Sequence, residues 1–96
     1  MKNYTIKYSF ESENDLDGIY DYIAIDNPKR ALEFVLEIKK LIEQLSSFPE
    51  TGRLNKDNGL KYLTKEPYFV YYTVDHATKL VYILTVYHAA RQTYQP

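Results

Sequence analysis

Near the start of the chain, apolar and polar positions alternate. Tyr4, Ile6 and Tyr8 stand between Thr5 and Lys7, a period of two that predicts a half-buried strand. The period then changes. Leu16, Ile19, Tyr20 and Ile23 fall at i, i+3, i+4 and i+7, so a helix turns one stripe to the core and leaves Asp15, Asp17 and Asp21 near solvent. Ser12 is its predicted N-cap, followed by Glu13, Asn14 and Asp15 in the first turn, where the helix dipole favours negative charge. Asn27-Pro28 repeats the start signal, with Asn as cap and Pro at the first helical position, where its missing N–H costs nothing. Ala31, Phe34, Val35, Ile38, Leu41, Ile42 and Leu45 hold the 3.6 period as far as Ser46-Ser47, and Pro49 lies just beyond. The few residues between the two helices make them a hairpin.

From Pro49 to Gly59 the sequence has no period and is rich in turn formers, which predicts a loop. Three strand candidates follow: Leu60 to Lys65, Phe69 to Asp75, and Leu80 to His88. They are separated by Glu66-Pro67-Tyr68 and by His76 to Lys79. The order β-α-α-β-β-β predicts one α+β domain over residues 1–96, a helical hairpin packed on one face of a small, mainly antiparallel sheet. In the last two strands apolar residues occupy both alternation sets. Phe69 and Tyr71 oppose Val70, Tyr72 and Val74, while Tyr82, Leu84 and Val86 oppose Val81, Ile83 and Tyr87. Helices cover one face only. The other is either a second small core of cross-strand aromatic pairs or a surface completed by a partner, and eleven tyrosines suit both.

Composition narrows the function. At 96 residues and 11.4 kDa there is room for one core and one site. The absence of cysteine excludes a disulfide framework, a thiolate zinc site and a Cys nucleophile. A metal site would rest on two His and some carboxylates, and no metal or cofactor motif is present. No apolar run approaches the roughly 20 residues of a membrane span, and Met1 to Phe10 alternates where a signal peptide would be uniformly apolar. A soluble cytoplasmic protein is expected. The net charge of −1 hides a polarity: residues 1–50 carry six Lys/Arg against ten Asp/Glu, and residues 51–96 carry six against three. A mildly basic second half can face an anionic partner.

No phosphate-cradling Gly-rich loop, H-E-x-x-H or nucleophile elbow occurs. Asp15, Asp17 and Asp21 read as a solvated face. The segment that can carry chemistry follows the longest strand, where His88, Arg91 and Tyr94 lie close together. Imidazole moves a proton near neutral pH, guanidinium grips phosphate, and a phenol stacks on a base or donates a proton: the parts of a metal-free RNA-cleaving site. A structural hydrogen-bonding role suits His88 equally, and His76 sits in a predicted turn. Arg53, Lys56, Lys61 and Lys65 supply further positive charge, and Lys61 and Lys65 share one face of their strand. They either line an anionic groove or protect an edge strand.

Several short pieces follow one another along the chain: Asp15-Leu16 with Ile19 and Asp21-Tyr22-Ile23, Asn27-Pro28 with Ala31, Leu45 with Phe48-Pro49, Gly52-Arg53, Gly59-Leu60-Lys61, Tyr68 to Tyr72, and Val86 with His88-Ala89-Ala90-Arg91. In this order and spacing they resemble the RelE/ParE superfamily of bacterial type II toxins, in its ParE-like, plasmid-stabilisation branch. The resemblance implies a toxin neutralised by a cognate antitoxin in a hetero-oligomer. ParE-like members are associated with inhibition of DNA gyrase by binding. Similar folds act as ribosome-dependent mRNA endonucleases, which carry several Lys/Arg with a general acid or base. Here that set is thin, and Lys61 stands where such proteins often show an arginine. The His-x-x-Arg ending matches the ParE-like branch. The implied function is therefore gyrase binding through Arg53, Lys61, Lys65 and Arg91. The alternative is RNA cleavage on the ribosome with His88, Arg91 and Tyr94 as catalytic residues, and the third reading is a non-toxic antitoxin-binding module.

Overall fold

The computed structural model describes residues 3–90. Its elements are strand β1 (Thr5–Tyr8), helices α1 (Phe10–Ala24) and α2 (Pro28–Glu43), a 3₁₀ turn (Gln44–Ser46), and strands β2 (Arg53–Leu54), β3 (Lys61–Lys65), β4 (Tyr68–Asp75) and β5 (Leu80–His88). The strands form one sheet in the order β1-β5-β4-β3-β2. β1 runs parallel to β5 and every other pairing is antiparallel. The α+β hairpin-on-sheet architecture read from the sequence is the one observed, with one strand more than expected. The irregular stretch 49–59 contains β2, whose two residues pair with Lys61 and Tyr62. So short a strand leaves no periodic signal, because alternation needs about four residues to show.

Helix α1 begins earlier than its expected cap. Ser9 is the N-cap, and Ser12 is fully buried in the first turn, donating its hydroxyl to the Ser9 carbonyl at 2.9 Å. Both serines are chemically able to cap. The choice falls on Ser9 because the sheet holds it: its N–H bonds the Ile83 carbonyl at 2.9 Å and its hydroxyl bonds the Leu84 carbonyl at 2.7 Å. The same hydroxyl oxygen accepts from the Ser12 N–H. Asn27 caps α2 as expected, with its side-chain oxygen accepting from the Arg30 N–H at 3.0 Å and Pro28 at the first position.

One face of the sheet carries the core. Leu63, Val70, Tyr72, Val81, Ile83 and Val86 meet Leu16 and Ile19 from α1 and Phe34, Ile38 and Ile42 from α2, with Leu45 closing one end. Ile38 has no exposed surface, so its truncation to Ala costs about 2–5 kcal/mol. On the opposite face, the rings of Tyr62, Phe69 and Tyr71 pack at centroid distances of 5.1, 5.7 and 6.3 Å. Tyr71 is 1% exposed, and its hydroxyl accepts from Asn55 Nδ2 at 3.1 Å. Of the two readings of that face, the structure shows a second small aromatic cluster at its centre. Tyr82, Leu84 and Tyr87 farther along remain half-buried.

The loop after α2 is held by a buried phenol. Tyr72 is fully buried, and its hydroxyl accepts from the Gly52 N–H at 2.8 Å while donating to the Pro49 carbonyl at 2.9 Å. Gly52 sits so close that a Cβ there would collide with the Tyr72 hydroxyl and lie 2.9 Å from the Tyr62 carbonyl oxygen. Glycine is required by this approach of backbone to ring.

Asp15 does not face solvent. Its Oδ2 accepts from Thr85 Oγ1 at 2.5 Å and from the Val86 N–H at 3.0 Å. The helical period had placed it beside the polar positions, but it also lies four and seven residues before Ile19 and Tyr22, on the flank of α1 nearest β5. β1 ends at Tyr8, opposite Ile83, so the next β5 groups on that edge have no strand beside them, and α1 supplies side chains in its place. The solvated-face reading holds for Asp17 and Asp21, which are exposed, and is corrected for Asp15.

Candidate target-binding site

The sheet register builds the site. Lys65 pairs with Tyr68 and Tyr68 pairs with His88, so these residues form one row across β3, β4 and β5. Directly paired residues share a face, and neighbouring strands lie roughly 5 Å apart, so the row spans roughly 10 Å. Tyr68 and His88 meet edge to face, with centroids 5.2 Å apart and planes at 85°. His88 Nδ1 accepts from the Ala90 N–H at 3.1 Å. That bond places the ring proton of the neutral imidazole on Nε2. An open cleft of about 500 Å³ lies over this end of the row, lined by Asp15, Gly18, Tyr22, Tyr68 and His88 among others. Gly18 leaves its α1 wall bare: no atom lies within 4 Å of where a Cβ would stand.

Of the predicted cations, Lys61 and Lys65 are ion-paired and lie apart. Lys65 Nζ lies 3.0 Å from Glu37 of α2 and 5.6 Å from the centre of the Phe34 ring. Arg30 shares both neighbours, 3.1 Å from Glu37 and 5.3 Å from the same ring. Hydrogen bonds from Lys65 and then Arg30 hold the Glu37 carboxyl below its usual range. Lys61 shares the helix-side face with Lys65, as its spacing predicts, but lies four residues back along the strand and pairs with Glu50 at 3.2 Å. Glu50 is also held below the usual range, first by its bond from Lys61. Its second partner is His76 Nε2 at 2.7 Å, and His76 Nδ1 lies 2.7 Å from the Tyr4 hydroxyl. His76 is therefore a tie between the β4–β5 turn, the start of the chain and the loop after α2. Arg53 pairs with Tyr62 on the opposite, aromatic face, exposed on edge strand β2. Arg91 and Tyr94 lie outside the described residues.

The structure thus joins Lys65 to His88, places Lys61 toward the far end of the same face and puts Arg53 on the other. Sequence reasoning missed two members of the site. The sequence places Tyr68 in a connection between strands, and only the register shows that it lies between Lys65 and His88. Asp15 carried a signal in its helical spacing to Ile19 and Tyr22, outweighed by the acidic residues around it. Among the described residues no three His, Asp or Glu side chains converge to hold a metal ion, and no helix is long and apolar enough to cross a membrane.

Residues 6–93 match the family model described as the ParE toxin of the type II toxin-antitoxin system, parDE. The chain belongs to the ParE toxin family. Among curated proteins it is 33% identical over 86 residues to Toxin RelE2 of Caulobacter vibrioides, covering 90% of this chain and 96% of that protein. Among solved structures it is similar to a chain of the chromosomal ParDE toxin-antitoxin system from P. aeruginosa. That match has a TM-score of 0.76, 27% identity, and coverage of 90% of this chain and 96% of the other. A toxin-antitoxin complex, RelBE2 of Mycobacterium tuberculosis, shares the fold at a TM-score of 0.58 and 22% identity, over 90% and 98% of the two chains. As a ParE/RelE-family member, this protein is the toxin of a type II toxin-antitoxin system.

Proposed function

We propose that this ParE-family toxin arrests growth by binding DNA gyrase through the β5 end, without catalysis of its own, and that a cognate antitoxin neutralises it. The observation that carries this reading is the pairing of the sheet lysines. Lys65 is bonded to Glu37 and Lys61 to Glu50, so neither stands as a free cation over His88. Cleaving RNA by attack of its 2′-hydroxyl needs a proton acceptor, a proton donor and positive charge on the phosphate. The described row offers one imidazole and one phenol, with its lysine already neutralised. Binding a protein–DNA target asks less of the same surface. Tyr22, on the cleft wall, is 73% exposed and adds aromatic area for a macromolecule. The antitoxin partner is supported by the similar structures, one from the ParDE toxin-antitoxin system of P. aeruginosa and one the RelBE2 toxin-antitoxin complex of M. tuberculosis.

Ribosome-dependent cleavage of mRNA is the second reading. It is favoured by the place of His88 on the cleft wall, where Nδ1 is held by the Ala90 N–H and Nε2 is the ring nitrogen that a substrate would meet. Under it His88 would act as acid or base, Arg91 would stabilise phosphate charge, and Tyr94 would orient a base. Incubating the purified toxin with gyrase and plasmid DNA, and separately with translating ribosomes and message, divides the two. Lost supercoiling with intact message supports the proposal. Message cut at the ribosomal A site, with gyrase unaffected, overturns it.

A further inference from the structure

The sheet is irregular beside this site. Tyr71 pairs with Thr85 and Tyr72 with Ile83, so Leu84 is an extra residue in β5. Such a bulge bends its strand and re-aims the residues that follow. His88 comes four residues later, beyond the last β1 partner, Ile83. What fixes the strand there is α1. Ser9 holds the Leu84 carbonyl, and the Asp15 carboxylate takes the Thr85 hydroxyl and the Val86 N–H on a single oxygen.

We propose that Asp15 is the positioning residue of the β5 end: its carboxylate sets the course of Thr85–His88 past the bulge, and so the place of the His88 imidazole beside Tyr68. The carboxylate is well suited to this. Leu16 and Ile19, next to it and one turn on, are buried in the core, so Asp15 is presented from an anchored helix. Thr85 is 1% exposed, so water cannot readily replace its partner. Two donors one residue apart on one acceptor oxygen fix a direction as well as a position. The functional importance of this role rests on the reading of the β5 end as the target-facing surface.

The test uses the full chain with Asp15→Ala, Asp15→Asn and Thr85→Val. Amide hydrogen exchange is read at Val86 to His88, with Val81 and Ile83 in the other half of β5 as internal control, and ¹⁵N shifts report the His88 ring nitrogens. Asp15→Ala is expected to speed exchange at Val86 to His88 by about tenfold or more while Val81 and Ile83 stay within about twofold. The His88 ring shifts should move from the Nε2–H pattern toward a mixture of tautomers. Asp15→Asn, which keeps an acceptor oxygen, should restore most of both. Equal acceleration at Val81 and Val86, or none at either, overturns the proposal. Should Asp15→Ala fail to fold, Thr85→Val removes one of the two donors and is read by the same local contrast. A loosened β5 end that still arrests growth fully would leave the positioning role standing and remove the target-surface reading.

Discussion

Lys65 and His88 lie in one row of the sheet, joined through Tyr68, although 23 positions separate them in the sequence. If this row meets the target, His88→Ala should reduce growth inhibition by about tenfold or more without unfolding the protein. The lost edge-to-face contact with Tyr68 is worth about 1 kcal/mol, so the melting midpoint should fall by no more than about 8 °C. Growth assays with thermal melts of the purified variant check both halves. A folded His88→Ala protein that still stops growth places the target surface elsewhere.

Gly52→Ala should be among the costlier small substitutions in the chain. The added methyl group meets the buried Tyr72 ring and the Tyr62 carbonyl, and only the loop can yield. Overpacking of this kind costs about 1–3 kcal/mol, read as a lower urea midpoint at unchanged slope. Gly18→Ala, which meets nothing within 4 Å, is the control and should be neutral or slightly stabilising because Ala is the better helix former.

Tyr72→Phe removes one oxygen and leaves two backbone groups unanswered, the Gly52 N–H and the Pro49 carbonyl. The expected loss is about 1–3 kcal/mol. Because both substitutions strike the same contact, Gly52→Ala and Tyr72→Phe together should cost less than the two separately, as a double-mutant cycle of urea melts would record.

Alkali should weaken the fold through Tyr8. Burial, with a smaller contribution from Glu43, pushes its phenol from 10.0 up to about 12. Burial raises Tyr72 in the same direction. The folded state therefore holds these protons more tightly than the unfolded chain. The Tyr8 contribution is complete below pH 10 and is lost as pH rises from 10.0 through about 12. Urea midpoints measured across that window should fall for the native protein and fall less steeply for Tyr8→Phe.

Most of the fold was legible because it is written in periods. The 3.6 repeat from Ala31 to Leu45 marks α2, and the apolar run from Leu80 to His88, bounded by turn formers, marks β5, each nearly to the residue. Elements set by tertiary partners were not legible. The sequence points to Ser12 as the cap, and the Ile83 and Leu84 carbonyls, which hold Ser9 in place, set the cap three residues earlier. β2 is too short to alternate. For the site, the sequence named His88 and Lys65 but not their neighbour Tyr68, since register is a property of strand pairs. It also read Asp15 as solvated, because nothing local marks the place where β1 leaves the edge of β5 bare.

The most direct test of binding without catalysis is a titration. Purified toxin is added in increasing amounts to a fixed concentration of gyrase and, in parallel, to translating ribosomes. A binder should reduce supercoiling in proportion to the toxin added, up to saturation of the enzyme, and leave message whole. Many molecules of message cleaved per molecule of toxin, with supercoiling unchanged, would contradict the account.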